Sequence, residues 1–577
     1  EPSALAPDPQ NRYNPSDIHP YVFLKRTAMK RPLFALAAIV CFVLHVSAAD
    51  PMTIRVRDKT LHTIDPRLFG QFLERPSWHH EIGPEGALVP GTNRLQPKVV
   101  EMLQRMKPPV LRFPGGTDVD HMDWRDMIDN VPGREGGRPV STGHKGDKVT
   151  NRFGIDEFLA VAERLDTDPL LVVNFRNALL DVKPLDEAAH DAAGLVAYCN
   201  ATVDAELPEG LPDWPAIRAK NGRRDPWKVK YWQIGNETWF FFRKLQKLAG
   251  DKAADRYAER LVTVARAMLA VDPDIVFVID AHGPTLAPAL KAKKALGDKV
   301  CWMAFHIYEP WGIKKVLRGG EPVPIDTLSP EAVWNAWVAT PGFDNDGRAV
   351  VRHPLIGRAR REGLKLAVTE WNWNGWWNAE GAPLDASLAK GVGAAGFLHG
   401  LMRSGDVIEL GCQSMLVGNS WGITAIRADR KGRRPPVFYP TGQVTMLYSN
   451  HHGSKRLALE EENVPTYAQP LKMNAIAPRK KIVVVDALAT ADDDTVYLHL
   501  INRRFDGPTP VAIDLSDLKL PAGKARRYSL EGRLTDKTAE SERAQIAEIV
   551  TATIVHDGKR LTVALPKRSV SVIEIER

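Results

Sequence analysis

The sequence predicts an α/β fold, a (β/α)8 TIM barrel followed by a C-terminal all-β sandwich domain. The chain has 577 residues, enough for more than one domain at about 100–200 residues each. Between residues 65 and 452, short β-branched runs alternate with stretches of helical period, and only β-type runs follow. Hydrophobic residues make up 44% and charged residues 25%, which is typical of a globular chain rather than a disordered one.

Two N-terminal segments are left out of this fold. Residues 29–48 combine a basic start, an apolar run and small residues near the end, which is the pattern of a secretory signal peptide. The apolar run is interrupted by His45 and is shorter than the ~20 residues that a membrane span needs. We therefore expect a secreted or periplasmic protein with no membrane attachment after signal cleavage. Residues 1–28, rich in proline and polar residues, are expected to form a disordered upstream extension.

Eight apolar runs within residues 65–452 are the candidate barrel strands. Helical stretches separate them, for example 95–106, 155–165, 253–270 and 387–403. A doubly wound sheet is the alternative, but no GxGxxG motif follows any of these strands. The candidate strands are Leu68–Glu74, Val110–Pro114, Pro169–Phe175, Lys230–Asn236, Ile275–Asp280, Trp302–Tyr308, Leu364–Glu370 and Gln413–Asn419.

The all-β domain is predicted over residues 453–577. Residues 49–64 contain one further β-type run, Met52–Arg57, which has no neighbour in the barrel and is expected to join the sandwich. The other candidate strands are Ile482–Ala487, Thr495–Ile501, Val511–Leu515, Ile549–His556 and Ser569–Ile575.

Two glutamates are the strongest chemical signal in the sequence. Glu237 follows the fourth candidate strand and Glu370 ends the seventh, while His306 and Tyr308 end the sixth. Chemistry in a (β/α)8 barrel collects at the carboxyl ends of the strands, so these side chains should meet at one mouth. Paired carboxylates are the machinery of glycoside hydrolysis, at about 5–5.5 Å in retaining enzymes and roughly 6.5–9.5 Å in inverting ones. The sequence leaves that distance open.

Several other classes of function are disfavoured. The net charge of +7 is mild for this length, and no basic stripe is interleaved with aromatics, so we expect no nucleic-acid partner. His306 has no second histidine four residues on, and no HExxH motif is present, so we expect no metal and no cofactor. Cys199, Cys301 and Cys412 show neither a CxxC motif nor a disulfide framework, which leaves at most one disulfide open. The 15 tryptophans suit a cleft for sugars.

Five motifs occur in order along the chain: Gly70–Glu74, Val110–Gly116, Lys230–Glu237, His306–Tyr308 and Thr369–Asn372. This ordered set resembles the α-L-arabinofuranosidases of glycoside hydrolase family 51, retaining barrel enzymes with catalytic glutamates on strands four and seven. The runs at 498–503 and 565–573 also resemble strands of that family's C-terminal sandwich, so the resemblance covers roughly residues 52–577.

The resemblance implies a role for each matched residue. Glu237 would be the general acid/base and Glu370 the nucleophile, with Tyr308 and Arg112 donating hydrogen bonds to Glu370. Asn236 would hold the 2-hydroxyl of the sugar. The remaining implied substrate-binding residues are Glu74, His306, Trp124 and Trp373, the last as part of the tryptophan cluster at 371–377.

Two departures from the family pattern concern the sugar. Thr117 stands where the family usually has an Asn after Pro-Gly-Gly. On strand eight, Met415 takes the place of a sugar-binding Gln, and Gln413 lies two residues earlier on the same predicted strand face. Both Thr117 and Gln413 are therefore candidate substrate-binding residues, and sugar specificity depends on such contacts.

The expected function is a secreted retaining exo-glycosidase that removes terminal α-L-arabinofuranosyl residues from a poly- or oligosaccharide. The alternatives are the same machinery acting as a β-D-galactofuranosidase, β-xylosidase or endo-β-glucanase, and a non-catalytic carbohydrate-binding barrel. The family resemblance also suggests a homo-oligomer.

Overall fold

Eight parallel strands close into a barrel in the computed structural model, in which strands β2 to β9 follow chain order and β9 pairs with β2. The structure describes residues 50–75, 81–309, 311–340, 342–373, 377–378 (backbone), 380–383, 387–419, 423–532 and 545–577. The barrel strands are β2 (Gly70–Phe72), β3 (Val110–Phe113), β4 (Asp168–Val173), β5 (Tyr231–Ile234), β6 (Val276–Asp280), β7 (Val300–Glu309), β8 (Leu366–Trp373) and β9 (Ile408–Gln413).

The eighth barrel strand does not lie where the sequence predicted it. It spans Ile408–Gln413 rather than Gln413–Asn419. The charged residue Glu409 interrupts the apolar run in this segment. Its carboxylate accepts a hydrogen bond from Trp302 Nε1 (2.9 Å) and pairs with Lys365 Nζ (2.7 Å). Gly411 is needed because a Cβ would lie 2.6 Å from the Leu68 carbonyl oxygen.

Helices cover the outside of the barrel. The predicted helix at residues 155–165 is observed as Ile155–Leu165, and Glu157 accepts the backbone N–H of Gly154 (2.9 Å) at its start. The helices are α1 (Pro97–Met106), α2 (Ile155–Leu165), α3 (Arg176–Leu179), α4 (Leu185–Asn200), α5 (Trp214–Lys220), α6 (Thr238–Ala249), α7 (Ala253–Val271), α8 (Leu286–Leu296), α9 (Pro330–Trp337), α10 (Pro354–Glu362), α11 (Leu388–Arg403) and α12 (Pro440–Asn450).

The C-terminal domain is built on a nine-stranded, mainly antiparallel sheet that includes the N-terminal strand β1 (Met52–Thr63). Strand β1 is parallel to β13 and antiparallel to β10. The order across the sheet is β15-β14-β17-β12-β11-β10-β1-β13-β16. The other strands are β10 (Lys455–Glu462), β11 (Val485–Ala491), β12 (Thr495–Asn502), β13 (Thr509–Asp514), β14 (Gly523–Gly532), β15 (Ala547–His556), β16 (Arg560–Leu565) and β17 (Ser569–Glu576).

Apolar side chains from both halves of this sheet form one core, for example Ile54, Leu498 and Leu561. Such a shared core is expected when a sheet with alternating apolar residues packs on itself. The predicted fold class, a closed barrel with a C-terminal β-rich domain, is confirmed. The strands at 455–462, 523–532 and 560–565 were not predicted, because charged residues interrupt their alternation.

A buried ionic cluster joins the β-rich domain to the barrel. Asp486 on β11 accepts hydrogen bonds from Arg403 (2.6 Å) and His399 (3.1 Å) of α11, and Arg503 donates to its other oxygen (3.3 Å). Burial acts to raise the pKa of Asp486, but Arg403 and His399 outweigh it and hold the pKa well below its ordinary value. The cluster fixes β11 against α11.

Two further features bear on the predictions. Cys199, Cys301 and Cys412 are free thiols in the described chain. Among the helices of the described residues, none is both long and apolar enough to cross a membrane. The predicted upstream extension and signal peptide, residues 1–28 and 29–48, lie outside the described residues.

Candidate active site

Glu237 and Glu370 reach the barrel mouth from two strands on opposite sides of β6 and β7. Glu370 lies within β8. Glu237 stands three residues after β5, at the start of α6, with a left-handed backbone (φ 50°). That conformation, together with Gly235 at φ 77°, turns the chain sharply from strand to helix. One carboxylate oxygen of each glutamate and a ring nitrogen of His306 all lie within 4.8 Å of one another.

Glu370 is held by two donors. Arg112 donates from Nη1 to Oε1 (2.9 Å) and Tyr308 donates from its hydroxyl to Oε2 (2.8 Å). Both donors are buried, as is Glu370 itself at 5% exposure. Charge-assisted hydrogen bonds of this kind favour the ionised form of a carboxylate. The arrangement therefore suits a carboxylate that attacks while ionised.

Glu237 has a different environment. Burial raises the pKa of Glu237 to about 7, against a smaller opposing effect of Arg112. Its Oε1 lies 3.1 Å from Nδ1 of His306, and burial lowers the pKa of that imidazole to about 3. The neutral imidazole also contacts the Thr369 hydroxyl through Nε2 (3.0 Å). A carboxyl group that keeps its proton near neutral pH can act as a general acid.

Arg112 donates hydrogen bonds to three side chains of the site. Besides Glu370, its guanidinium donates to Gln233 Oε1 (2.7 Å) and to Asn236 Oδ1 (2.6 Å). The Asn236 side-chain oxygen is thus occupied. The buried Nδ2 of the same side chain has no acceptor among the described residues. An unpaired buried amide donor beside two carboxylates is suited to a sugar hydroxyl.

Glu74 lies deep in the same pocket. Burial, followed by the neighbouring charges of Glu370 and Asp118, raises the pKa of Glu74 well above its ordinary value. Gly116 packs directly on this carboxylate, and a Cβ at Gly116 would overlap it. Gly115 and Gly116 both have positive φ (46° and 61°), so the Pro-Gly-Gly motif serves a tight turn and a close approach.

Three residues of the site were not singled out from the sequence. The Ser414 hydroxyl lies 2.6 Å from the Tyr308 hydroxyl oxygen and donates to it, because the single Tyr308 proton is donated to Glu370, and Gln233 accepts from Arg112. Asp120 accepts the backbone N–H groups of Phe175 (2.8 Å) and Asn236 (3.0 Å). In the sequence, these three residues are marked only by their closeness along the chain to the Pro-Gly-Gly, Asn-Glu and strand-eight motifs. Such closeness does not show which side chains bond to each other in the fold.

Two predicted substrate-binding residues, Gln413 and Trp373, have their polar groups bonded inside the protein, and substrate binding by either stays a prediction. Gln413 is the last residue of β9 and its amide faces α12, where Oε1 accepts from the Thr445 hydroxyl (2.7 Å) and Nε2 donates to the Thr441 carbonyl (3.3 Å). The strand ends there, so strand alternation does not carry on to Met415, which packs inside the barrel with Phe72 and Tyr308.

Trp373 is the second of these residues and lies in the core. It is fully buried and its indole N–H donates to the Ala339 carbonyl (2.8 Å). Trp371 is fully buried too and stacks on Phe397. The side chains of residues 374–379, which complete the predicted tryptophan cluster, lie outside the described residues.

The structure does not bring Trp124 or Thr117 into contact with the two glutamates. Trp124 donates to the Asp191 carbonyl (2.9 Å) and packs against Tyr198 and Trp214, at the edge of a separate cavity of about 260 Å³. Thr117 begins a short 3-10 segment and is half-buried. Substrate binding by either residue stays a prediction.

A metal at this site is a separate question. Glu237, His306 and Glu370 are the one group of three potential ligands found close together in the described chain. Both ring nitrogens of His306 are already engaged, with Glu237 and Thr369. The expectation that the protein needs no metal stays a prediction.

Comparisons with known proteins agree with this fold. Family models match residues 102–310, described as the "Alpha-L-arabinofuranosidase 1 domain", and residues 370–569, described as the "Alpha-L-arabinofuranosidase C-terminal domain". Alpha-L-arabinofuranosidase C of Emericella nidulans is 31% identical over 40% of this chain and 41% of its own length. The match thus spans about two fifths of that relative.

More distant relatives match over longer stretches. An "Intracellular exo-alpha-(1->5)-L-arabinofuranosidase" of Streptomyces lividans is 24% identical over 88% of this chain and 72% of its own length. An α-L-arabinofuranosidase structure from Thermotoga maritima covers 91% of this chain and 100% of its own at 22% identity, with a TM-score of 0.64. A family 51 structure from Thermotoga petrophila has the same coverage, 23% identity and a TM-score of 0.65.

The fold, the paired carboxylates and these matches define the class of the protein as a glycoside hydrolase. The family models match most of the chain between residues 102 and 569. Within the class, both matching domain models are those of alpha-L-arabinofuranosidases, and solved structures of family 51 share the fold of the chain.

Proposed function

We propose that this protein is a retaining exo-α-L-arabinofuranosidase. The observation that carries the proposal is the pairing of Glu237 and Glu370, whose nearest ligand oxygens lie within 4.8 Å in contrasting environments. A separation of this size supports direct attack by one carboxylate, because an inverting enzyme holds its carboxyl groups roughly 6.5–9.5 Å apart to admit a water. The names of the relatives support the arabinofuranosyl substrate.

The reaction proceeds in two displacements. In the first, a carboxylate oxygen of Glu370 forms a bond to the anomeric carbon as the bond to the leaving oxygen breaks, and Glu237 gives its proton to that oxygen. In the second, Glu237 takes a proton from water, the water oxygen bonds to the anomeric carbon, and Glu370 leaves as a carboxylate. The configuration is retained because the carbon is inverted twice.

Neighbouring groups support both steps. Arg112 and Tyr308 hold the Glu370 carboxyl group in a fixed orientation before attack. The Nδ2 of Asn236 donates to the sugar 2-hydroxyl, a contact that strengthens as the transition state gains oxocarbenium character. Glu74, fixed against Gly116, accepts from a sugar hydroxyl.

The identity of the sugar is a separate part of the proposal and needs its own test. Met415 contributes a thioether rather than an amide beside Tyr308, and Thr117 stands after the two glycines. Both positions leave galactofuranosides, xylosides and glucans as competing substrates, because a missing donor changes hydroxyl discrimination.

Release of 4-nitrophenol from 4-nitrophenyl α-L-arabinofuranoside tests the activity. We expect turnover by residues 49–577 and a loss of at least about 10³-fold in Glu370→Gln, since removal of a nucleophile leaves little catalysis. The variant Glu370→Gly should regain activity with azide and yield a glycosyl azide of inverted configuration. Full turnover by Glu370→Gln would refute the role of Glu370. Turnover only with a galactofuranoside or xyloside would keep the mechanism and replace the sugar.

We further propose export, supported by the signal-like pattern of residues 29–48. The full chain expressed in a bacterium should yield a periplasmic protein that begins near Ala49. Retention of residues 29–48 on a cytoplasmic product would refute export and match the word "Intracellular" in the name of the Streptomyces relative.

A further inference from the structure

We propose that a basic pocket beside the barrel mouth binds the carboxylate of an acidic sugar, which directs the enzyme to arabinosylated polysaccharides that carry uronates. The inference rests on the proposed function for its substrate, but not for the binding itself. The basic pocket has a volume of about 400 Å³. Its charged lining residues are Arg427, Asp429, Lys431, Arg433 and Arg434.

The positive charge of this pocket exceeds its negative charge, because four cationic side chains line it with one carboxylate. Among the described residues, none of its four cationic side chains forms an ion pair, whereas the neighbouring Arg430 pairs with Glu81 (3.2 Å). The single carboxylate, Asp429, accepts backbone N–H groups of Lys431 (3.3 Å) and Arg433 (2.9 Å), so it holds the turn. Four cations facing one occupied carboxylate attract an anion, and arginine forks match a planar carboxylate.

A neutral group in the pocket points to a sugar rather than a simple anion. Asn419 lines the same cavity, and its buried Oδ1 has no hydrogen-bond donor among the described residues. A buried acceptor without a donor is costly unless a ligand supplies one. A uronate offers hydroxyl donors as well as a carboxylate, whereas a fully ionised inorganic anion offers acceptors only.

The location of the basic pocket links it to the catalytic centre. Asn419 lies five residues after Ser414, which is hydrogen-bonded to the Tyr308 hydroxyl, so at most about 17 Å of chain separates them. The intervening segment runs beside the end of β2 and the segment after it, through Leu416 N–H to Phe72 O (2.8 Å) and Asn419 N–H to Ile82 O (2.8 Å). This separation does not exceed the length of an oligosaccharide of several units.

A second cavity extends the basic surface. It has a volume of about 370 Å³, shares Lys431 and Arg433 with the basic pocket, and adds Arg152, Arg430 and the carboxyl group of Glu85. No aromatic residue lines either cavity in the described chain, so neither offers a stacking surface for nucleobases. The lining therefore favours an acidic polysaccharide over a single-stranded nucleic acid.

Binding of trigalacturonate, measured by calorimetry at low salt, tests the pocket without any hydrolysis. The triple variant Arg427→Gln, Arg433→Gln, Arg434→Gln should bind roughly tenfold more weakly, since each exposed charge contributes a modest part. The variant Asn419→Leu, which changes no charge, should also weaken binding. A matched control, Arg164→Gln with Lys294→Gln and Arg361→Gln, removes three exposed cations from α2, α8 and α10 and should bind like the wild type.

Hydrolysis provides the second arm. We expect a several-fold higher kcat/KM on glucuronate-bearing arabinoxylan than on the same polymer after carboxyl reduction, and the triple variant should abolish only that difference. Activity on 4-nitrophenyl α-L-arabinofuranoside should not change in the triple variant. If that substrate is not cleaved, the proposed function fails while the calorimetry still decides the pocket.

Three outcomes would overturn the inference. The first is trigalacturonate binding that is undetectable or equal in the wild type and the triple variant. The second is equal affinity for a sulfated oligosaccharide or a DNA oligonucleotide, which would make the pocket a general polyanion surface. The third is equal hydrolysis of the native and carboxyl-reduced polymers by the wild type.

Discussion

Two chemically identical side chains, Glu237 and Glu370, lie a few ångströms apart and differ only in what surrounds them. Glu370 receives the Arg112 and Tyr308 donors, while Glu237 has a neutral imidazole beside it. Burial without a donor favours the protonated acid, and direct donors favour the carboxylate. The difference in surroundings is the physical reason for the division of labour that we propose.

The pH dependence of activity follows from the protonation of Glu237. Burial raises its pKa to about 7, and only the protonated form can donate to the leaving oxygen. We expect kcat/KM on a natural arabinofuranoside to be high below pH 7 and to fall as the pH rises through about 7. A pH–rate profile measures this.

The variant Glu237→Ala tests whether Glu237 causes the fall in kcat/KM above pH 7. This variant should show no such fall, and it should retain activity only on substrates whose leaving group needs no proton, such as a 2,4-dinitrophenyl glycoside. An unchanged fall in kcat/KM at basic pH in this variant would assign the titration to another group.

Gly116 carries a second prediction at the scale of one residue. In Gly116→Ala, the new Cβ would overlap the Glu74 carboxylate, so Glu74 must move away from the substrate. We expect kcat/KM to fall by about 100-fold, as a displacement near 1 Å can cause. Steady-state kinetics on the nitrophenyl arabinofuranoside measures the loss.

The control for Gly116→Ala is Gly133→Ala. Gly133 also has a positive φ (75°), but a Cβ there would meet no atom within 4 Å. It should lose a little stability and no activity. Equal activity of the two variants would show that Glu74 tolerates the displacement.

At the scale of elements, one carboxylate ties the ends of three barrel strands. Asp120, in the segment after β3, accepts the N–H groups of Phe175 and Arg176 after β4 and of Asn236 after β5. Burial raises the pKa of Asp120 to about 6 although these donors oppose the shift. Asn236 is thereby held where Arg112 and the substrate meet it.

Replacing this carboxylate should loosen the strand ends. In Asp120→Asn, one acceptor becomes a donor that faces backbone N–H groups, which should lower the free energy of unfolding by about 1–3 kcal/mol. We expect KM to rise, because Asn236 loses its position. Urea unfolding and steady-state kinetics measure the two effects.

Asp123→Asn is the matched control, because in the described part of the chain the hydrogen bonds of the Asp123 carboxylate stay within its own turn, at Arg125. It should leave KM unchanged. A KM change of the same size in both variants would argue against the positioning role of Asp120.

At the scale of the whole molecule, we expect the free energy of unfolding to depend on the buried ionic cluster around Asp486. In Asp486→Asn, Arg403 and Arg503 lose their charged partner in a buried site, which should lower the free energy of unfolding by about 3–5 kcal/mol. The pKa of Asp486 is depressed in the folded state, so its stabilisation is present above the ordinary pKa of 3.8 and lost as the pH falls through the folded value. Denaturant titrations at several pH values measure this.

The surface pair of Asp493 with Lys455 (2.6 Å) supplies the control. Asp493→Asn should leave the unfolding midpoint nearly unchanged, since exposed ion pairs contribute little. A midpoint for Asp486→Asn equal to that of the control would mean that the cluster does not couple the barrel to the β-rich domain.

Sequence patterns alone predict the alternation of strands and helices, the Pro-Gly-Gly turn, and the location of Glu237 after the fourth barrel strand and of Glu370 in the seventh. These are local properties, because periodicity, chain order and glycine spacing depend on neighbouring residues. The packing of Trp373 and Gln413 in the core is evident only in the folded structure, since whether a side chain faces a cavity or a helix depends on residues far along the chain. The same holds for Arg112, which bonds Glu370 across 258 positions, and for the environments that separate the two glutamates, because burial and hydrogen bonding exist only once the barrel has closed.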